Sequence, residues 1–168
     1  MFYHTTLRSP VGELTLTCND KQQLTALLIA GQKYFCDMPQ GEWVGRNDLA
    51  IFNRVSVWLD IYFNGANPDT SSLPLSPAGS AFRQRVWSIL RSIPYGTTTT
   101  YGAIAQQIAT ETGRLRMSAQ AVGGAVGHNP ISIIIPCHRV IGADGSLTGY
   151  AGGLQIKDKL LRLEGLSK

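Results

Sequence analysis

Toward the C-terminal end of this 168-residue chain, a cysteine and a histidine stand side by side in the run Pro136-Cys137-His138-Arg139-Val140. A thiolate is a potent nucleophile, and an imidazole is the side chain best suited to take its proton near neutral pH. Sulfur, imidazole and guanidinium in three consecutive positions could make the cysteine a nucleophile. A lone cysteine read by itself is core packing. Its neighbours shift that reading: His138, Arg139, and the glycine-rich stretch Thr148-Gly149-Tyr150-Ala151-Gly152-Gly153 follow within a dozen or so positions. Cationic neighbours are expected to lower the thiol pKa and so raise the reactive fraction.

The segment just before the cysteine, Ile131-Ser132-Ile133-Ile134-Ile135, is β-branched and apolar. It predicts a buried strand, ended where Pro136 removes a backbone donor. Successive side chains of an extended chain point in opposite directions, so Cys137 and His138 should not bond directly. Proton transfer between them then needs a water or a kinked backbone. That argues against a protease-like Cys–His dyad, whose members come from distant segments.

Composition bounds the setting. With 43% hydrophobic and 15% charged residues, the chain reads as a soluble globular protein with one large or two small domains. No apolar run approaches membrane-spanning length and no signal-peptide pattern opens the chain, so an intracellular, cytoplasmic protein is expected. Cys18, Cys36 and Cys137 lack CxxC spacing and read as reduced thiols. His4, Cys18 and Cys36 match no common zinc pattern, so neither metal nor cofactor is expected. Residues 1–78 carry five Lys/Arg against seven Asp/Glu, a net of −2, whereas residues 79–168 carry ten against four, a net of +6. A polyanion met by the C-terminal half would account for that asymmetry, as would a merely solvated basic surface.

The first half reads as a small sheet with a helix. Strands are expected at Phe2 to Leu7, at Glu13 to Cys18 after a Ser9-Pro10-Val11-Gly12 turn, and at Leu24 to Ile29. Leu49, Phe52, Val55, Leu59 and Tyr62 have helical spacing, with Asp48 near the helix start and Trp43 and Trp58 in the core. Asn64 to Ser80, rich in Pro and Gly, reads as a linker between domains 1–78 and 79–168. Beyond it, helices are expected from Phe82 to Ile93, from Tyr101 to Ile108, from near Ser118 to Val126, and around Leu154 to Leu163. The second and third of these, joined by a short polar connection, look like a helix-turn-helix. Gly123 and Gly124 weaken the third helix but allow close approach to its surface, by another helix or by a nucleic-acid groove.

Taken in order, Ala121-Val122-Gly123-Gly124, Asn129-Pro130, Pro136-Cys137-His138-Arg139-Val140, Gly149-Tyr150-Ala151-Gly152-Gly153 and Leu160-Leu161 with Glu164 resemble the O6-alkylguanine-DNA alkyltransferases. The likeness runs through about residues 80 to 165, and loosely through the Ser9–Gly12 hairpin. It implies an α+β chain: a small ribonuclease H-like lobe followed by a mainly helical, winged-helix-like DNA-binding domain. It further implies a monomer that binds alkylated double-stranded DNA through the minor groove, flips the damaged base, and moves its alkyl group once to Cys137. O4-alkylthymine is a second substrate the resemblance admits. Residue by residue, it implies that Glu164 orients His138, that His138 deprotonates Cys137 through a water, and that Tyr101 donates toward the base. The carbonyls of Cys137 and Val140 would accept from the exocyclic amine, and the Ala151 N–H would donate to O6. Tyr150 and Gly152 would shape the pocket, and Asn129 would tie the helix-turn-helix to the active segment. Ala121 and Gly123 would meet the groove.

One position departs from the family pattern. The arginine usually found two residues before the Val of Val-Gly-Gly is Gln120 here, and about five extra residues in the preceding connection bring Arg114 and Arg116 nearby. Either Gln120 fills the space left by a flipped base, or one of those arginines reaches in. Two other readings compete. A non-catalytic lesion binder would lack a nucleophile at position 137, and a Cys–His hydrolase would turn over repeatedly.

Overall fold

The structure, a computed structural model, describes residues 1–32 and 40–166. It divides into two compact units, one of residues 1–78 with 130–134 and one of residues 79–129 with 135–168.

The first unit is built on a four-stranded sheet. Strands β1 (Phe2–Ser9), β2 (Gly12–Asn19), β3 (Leu24–Ile29) and β4 (Trp43–Gly45) lie in the order β3-β2-β1-β4, antiparallel except for the parallel β1–β4 pair. The β1–β2 turn closes where the Ser9 hydroxyl donates to Gly12 O at 2.6 Å, and the Gly12 φ of +108° is one that glycine adopts without strain. Leu14, Leu16 and Cys18 point into the core as the alternation predicts. Thr17, on the other face, is buried too and shares a 2.7 Å hydrogen bond with Thr25. Helix α1 (Ala50–Phe63) buries Ile51, Phe52, Val55, Trp58, Leu59 and Tyr62. Leu49 is its N-cap; Asp48 is instead engaged by Arg46, 2.7 Å away. Trp58 is core, whereas Trp43 is half-buried and stacks on Phe2 with ring centroids 4.8 Å apart.

Two expectations change here. The Pro-rich segment after α1 is not simply a linker: Leu24 N–H donates to Pro74 O and Ser76 N–H donates to Leu24 O, both at 2.8 Å, with Leu73 buried. Nor is 131–135 a strand. Ile131 makes an isolated bridge to Leu27, and the chain then turns, with Ile134 N–H reaching back to Ser132 O at 2.8 Å around an Ile133 whose φ is +71°. That is a tight γ-type turn in a conformation a β-branched residue rarely adopts. Burial, not ladder pairing, explains the apolar run: all five residues are buried. Cys36 lies outside the described residues, and among the described residues no three metal-ligating side chains gather. No helix among them is long and apolar enough to cross a membrane.

The second unit holds α2 (Ala81–Arg91), α3 (Tyr101–Thr112), α4 (Ala119–Gly127) and α5 (Leu154–Leu163), with a two-residue parallel pair, β5 (Thr99–Thr100) and β6 (Val140–Ile141). Hydroxyl caps start three of the helices: Ser80 accepts from Arg83 N–H, Thr100 from Ala103 N–H and Ser118 from Ala121 N–H. Gly113, at φ +68°, ends α3 in the left-handed conformation that lets the chain turn toward α4. Val86, Leu90, Ile104, Ile108, Val122, Ile135, Val140 and Leu160 fill the core, and Trp87 donates its indole N–H to Ala125 O at 2.9 Å.

Candidate active site

Cys137 begins a 3-10 turn, Cys137–Arg139, so the backbone at the cysteine is kinked and not extended. Pro136, at φ −82° and ψ 64°, sits in an inverse γ-turn that brings Cys137 N–H onto Ile135 O at 2.8 Å. The residue is 4% exposed. Asn129 fixes the approach to it, donating from Nδ2 to Ile135 O at 2.8 Å across the ends of the 130–134 excursion.

His138 is fully buried, and its Nε2 lies 2.5 Å from Glu164 Oε2. The other carboxylate oxygen, Oε1, accepts from Arg139 Nε at 2.7 Å and from Gly96 N–H at 3.2 Å. Arg139 also donates from Nη1 to Ile93 O at 2.7 Å and lies 5.7 Å over the Tyr95 ring. A carboxylate held ionised by this guanidinium makes Nε2 the protonated nitrogen of a neutral imidazole and leaves Nδ1 as its basic one.

The electrostatics overturn one expectation. Burial pushes the Cys137 thiol above its ordinary value, against smaller lowering effects from Asn129 and the charge of Lys157. Arg139 does little for the sulfur because its charge is committed to Glu164. Burial likewise holds His138 below the usual imidazole value, and Glu164 offsets only part of that. Both groups therefore rest neutral at pH 7, and a thiolate forms only as its proton leaves for a base.

Tyr101 opens α3, half-buried, with its hydroxyl donating to Thr148 O at 2.9 Å. Burial raises its pKa too. Tyr150 is buried, Ala151 and Gly152 are half-buried in a turn closed by Gly153 N–H on Tyr150 O, and Val140 sits buried in β6 opposite Thr99. Val140 N–H donates back to Cys137 O across the 3-10 turn. Arg114, Arg116, Gln120 and Ala121 are exposed in and just after the α3–α4 connection. Gly123 faces the Tyr101 ring, where a Cβ would lie 3.7 Å from it, while Gly124 faces open space. The DNA-facing candidates thus form an exposed group of their own, joined to the buried series through the Tyr101–Gly123 contact.

Lys157 lies outside the sequence expectations. It is fully buried on α5, donates from Nζ to Thr148 O at 2.7 Å, and has its pKa lowered by burial to about 8. Its place was readable: Lys157 is three residues after Leu154 and three and four before Leu160 and Leu161, on the apolar face of its helix.

A helix-turn-helix and a buried thiol with an imidazole–carboxylate pair, sharing one small unit, define a class of DNA-directed proteins with a nucleophilic site. The model of the 6-O-methylguanine DNA methyltransferase DNA binding domain matches residues 81–166, and that of the same enzyme's ribonuclease-like domain matches residues 2–77. The chain belongs to the 6-O-methylguanine DNA methyltransferase family. It is 43% identical over 162 residues to the methylated-DNA--protein-cysteine methyltransferase of Haemophilus influenzae, covering 96% of this chain and 86% of that one. Among solved structures it is similar to Mycobacterium tuberculosis OGT in complex with DNA, with a TM-score of 0.83 and 42% identity over 96% of this chain and 92% of that one. An O6-methylguanine-DNA methyltransferase from Pyrococcus kodakaraensis, 21% identical with a TM-score of 0.68, shares the fold over 99% of this chain and 100% of that one. The expected α+β architecture, with its ribonuclease-like first part and DNA-binding second part, is thereby borne out.

Proposed function

We propose that the chain repairs O6-alkylguanine in double-stranded DNA by moving the alkyl group to Cys137, once per protein molecule. The carrying observation is the 2.5 Å contact between His138 Nε2 and Glu164 Oε2, both side chains fully buried, one residue from the cysteine. In this reading the thiol proton passes through a water to His138 Nδ1, and Glu164 stabilises the imidazolium that results. The Cys137 sulfur attacks the alkyl carbon; a carbon–sulfur bond forms as the carbon–O6 bond breaks, its electron pair remaining on guanine O6. The Tyr101 hydroxyl passes its proton to the base while the Ala151 N–H hydrogen-bonds O6, so that the purine leaves as neutral guanine; the proton held on the His138 imidazolium returns through solvent to the tyrosinate. Carbonyls of Cys137 and Val140 receive the exocyclic amine, Tyr150 and Gly152 wall the pocket, and Asn129 anchors the segment.

The product is a thioether, which offers water no activated bond, and the protein therefore stops after one event. O6 is hidden in a stacked duplex, so the base must be extruded at a cost of a few kcal/mol. Minor-groove docking of α4 would serve that step: Ala121 and Gly123 give the helix a surface of small residues, Gly123 lying against the Tyr101 ring, beside the exposed Arg114, Arg116 and Gln120. O4-alkylthymine presents a similar alkyl–oxygen bond and is included as a substrate. The protein acts as a monomer, inside the cell.

Incubation with an O6-methylguanine duplex should add one methyl to the intact protein, mapped by mass spectrometry to Cys137, with no second equivalent at long times. Methyl on Cys18 or Cys36, no added mass, or continuing turnover would each reject the reading. A parallel duplex with O4-methylthymine tests the second substrate.

A further inference from the structure

The transfer chemistry proposed above leaves Lys157 without a task. Its Nζ and the Tyr101 hydroxyl converge on one acceptor, Thr148 O, at 2.7 Å and 2.9 Å. The same Nζ lies 5.9 Å from the centre of the Tyr101 ring. A phenol has a single proton to donate, so Tyr101 cannot hold Thr148 O and a substrate base at once. An amine keeps a donor to offer whether charged or neutral.

Between β6 and α5 the chain has no regular secondary structure, and Thr148 and Gly149 are exposed. The turn is nonetheless tight against the tyrosine. Gly149 has a φ of +65°, and a Cβ there would stand 3.2 Å from the Tyr101 hydroxyl oxygen. Side-chain donors therefore hold this stretch against Tyr101, and one of the two must let go for the proposed reaction.

We propose that Lys157 is a positioning residue: it keeps the Thr148 carbonyl bonded and the 148–150 turn in place while the Tyr101 hydroxyl moves from that carbonyl to the substrate. The proposal rests on the role given to Tyr101 under the proposed function. Lys157 suits the task because it is buried and its stem is packed in the apolar face of α5, beside Leu160 and Leu161. A charge-assisted donor also holds a carbonyl more firmly than a hydroxyl does.

The test is a double-mutant cycle of Tyr101→Phe and Lys157→Met. It reads single-turnover transfer from an O6-methylguanine duplex at saturating protein, with the duplex Kd measured alongside. Lys157→Met should slow transfer about tenfold or more when Tyr101 is present, but only about twofold in the Tyr101→Phe background, with Kd unchanged. Lys157→Arg, which retains a donor, should restore most of the rate; it also serves if the Met variant does not fold. Losses that multiply independently, or an Arg variant as slow as Met, would overturn the role of Lys157 while leaving Tyr101 intact. A wild-type rate for Tyr101→Phe alone would remove Tyr101 from the reaction and take this proposal with it.

Discussion

Arg139 Nε lies 2.7 Å from Glu164 Oε1, on the carboxylate oxygen that His138 does not use. The guanidinium is thus the counter-charge that lets a buried carboxylate stay ionised behind a neutral imidazole. Removing it strips the buried Glu164 carboxylate of its guanidinium counter-charge, with the Gly96 N–H and the imidazole still beside it. Arg139→Ala should therefore cost about 3–5 kcal/mol of stability, the range for breaking a buried pair on one side. Urea unfolding checks this; a change below about 1 kcal/mol would mean the pair behaves as a surface bridge.

Glu164→Gln should act differently from Arg139→Ala. It keeps shape and an acceptor for Nε2–H but stabilises an imidazolium less, so proton transfer to His138 becomes harder. Single-turnover transfer should fall about tenfold to hundredfold with little change in DNA affinity, because a buried Glu164 side chain offers nothing to a phosphate. Unchanged transfer would take Glu164 out of the proton path.

The raised Cys137 thiol makes a pH prediction. With its folded pKa above the ordinary value of 9.0, alkylation by iodoacetamide in the absence of DNA should keep climbing past pH 9. A thiolate stabilised at rest would instead plateau near neutrality. Peptide mapping must separate Cys137 from Cys18, which burial also pushes up.

Much of this was legible from residue order. Apolar spacing along α1 to α5 and the Leu14–Leu16–Cys18 alternation read directly as elements, whereas the hydroxyl caps at Ser80, Thr100 and Ser118 show only in the structure. The differences have separate physical causes. Ile131–Ile135 looked like a strand because β-branched composition reports burial and strand pairing alike, and only the +71° φ at Ile133 separates them. The 3-10 turn at Cys137, and the two-residue β5 and β6, are set by tertiary contacts too local for periodicity to register. The thiol shift runs opposite to the expectation because burial, which adjacency in sequence does not report, outweighs the nearby cations, and Arg139 points at Glu164. Lys157 escapes a reading by residue type because a lysine on a helix is ordinarily solvated, although Leu160 and Leu161, three and four residues on, share its buried face.

The exposed arginines of the α3–α4 connection can be separated from the chemistry by salt. Each phosphate neutralised adds close to one unit to the slope of log K against log salt concentration. If Arg114 and Arg116 meet phosphates, replacing both with Ala should flatten that slope by about two and weaken binding uniformly across sequences. If one of them instead fills the space of a flipped base, its single Ala variant should slow transfer while changing the slope less. An unaltered slope and rate in the double variant would assign the gap-filling to Gln120.

Lys157 also makes a prediction about stability that does not depend on its proposed part in transfer. Its folded pKa, about 8, lies below the ordinary 10.5, so between those values the unfolded chain binds more protons at this position than the folded one. Stability contributed by a group of that kind rises with pH through the window and is lowest below pH 8, where the buried ammonium carries its full desolvation cost. The groups around it are Cys137, His138 and Tyr101. Of these, Cys137 acts in the opposite sense above pH 9 and Tyr101 above pH 10, where the unfolded thiol and phenol ionise first. Comparing wild type with Lys157→Met cancels most of that contribution. The wild-type protein should gain on the variant in urea midpoint as pH rises from 8 to 10, and a pH-independent difference would mean that Lys157 keeps its charge throughout, held by the Thr148 carbonyl and the Cys137 sulfur together.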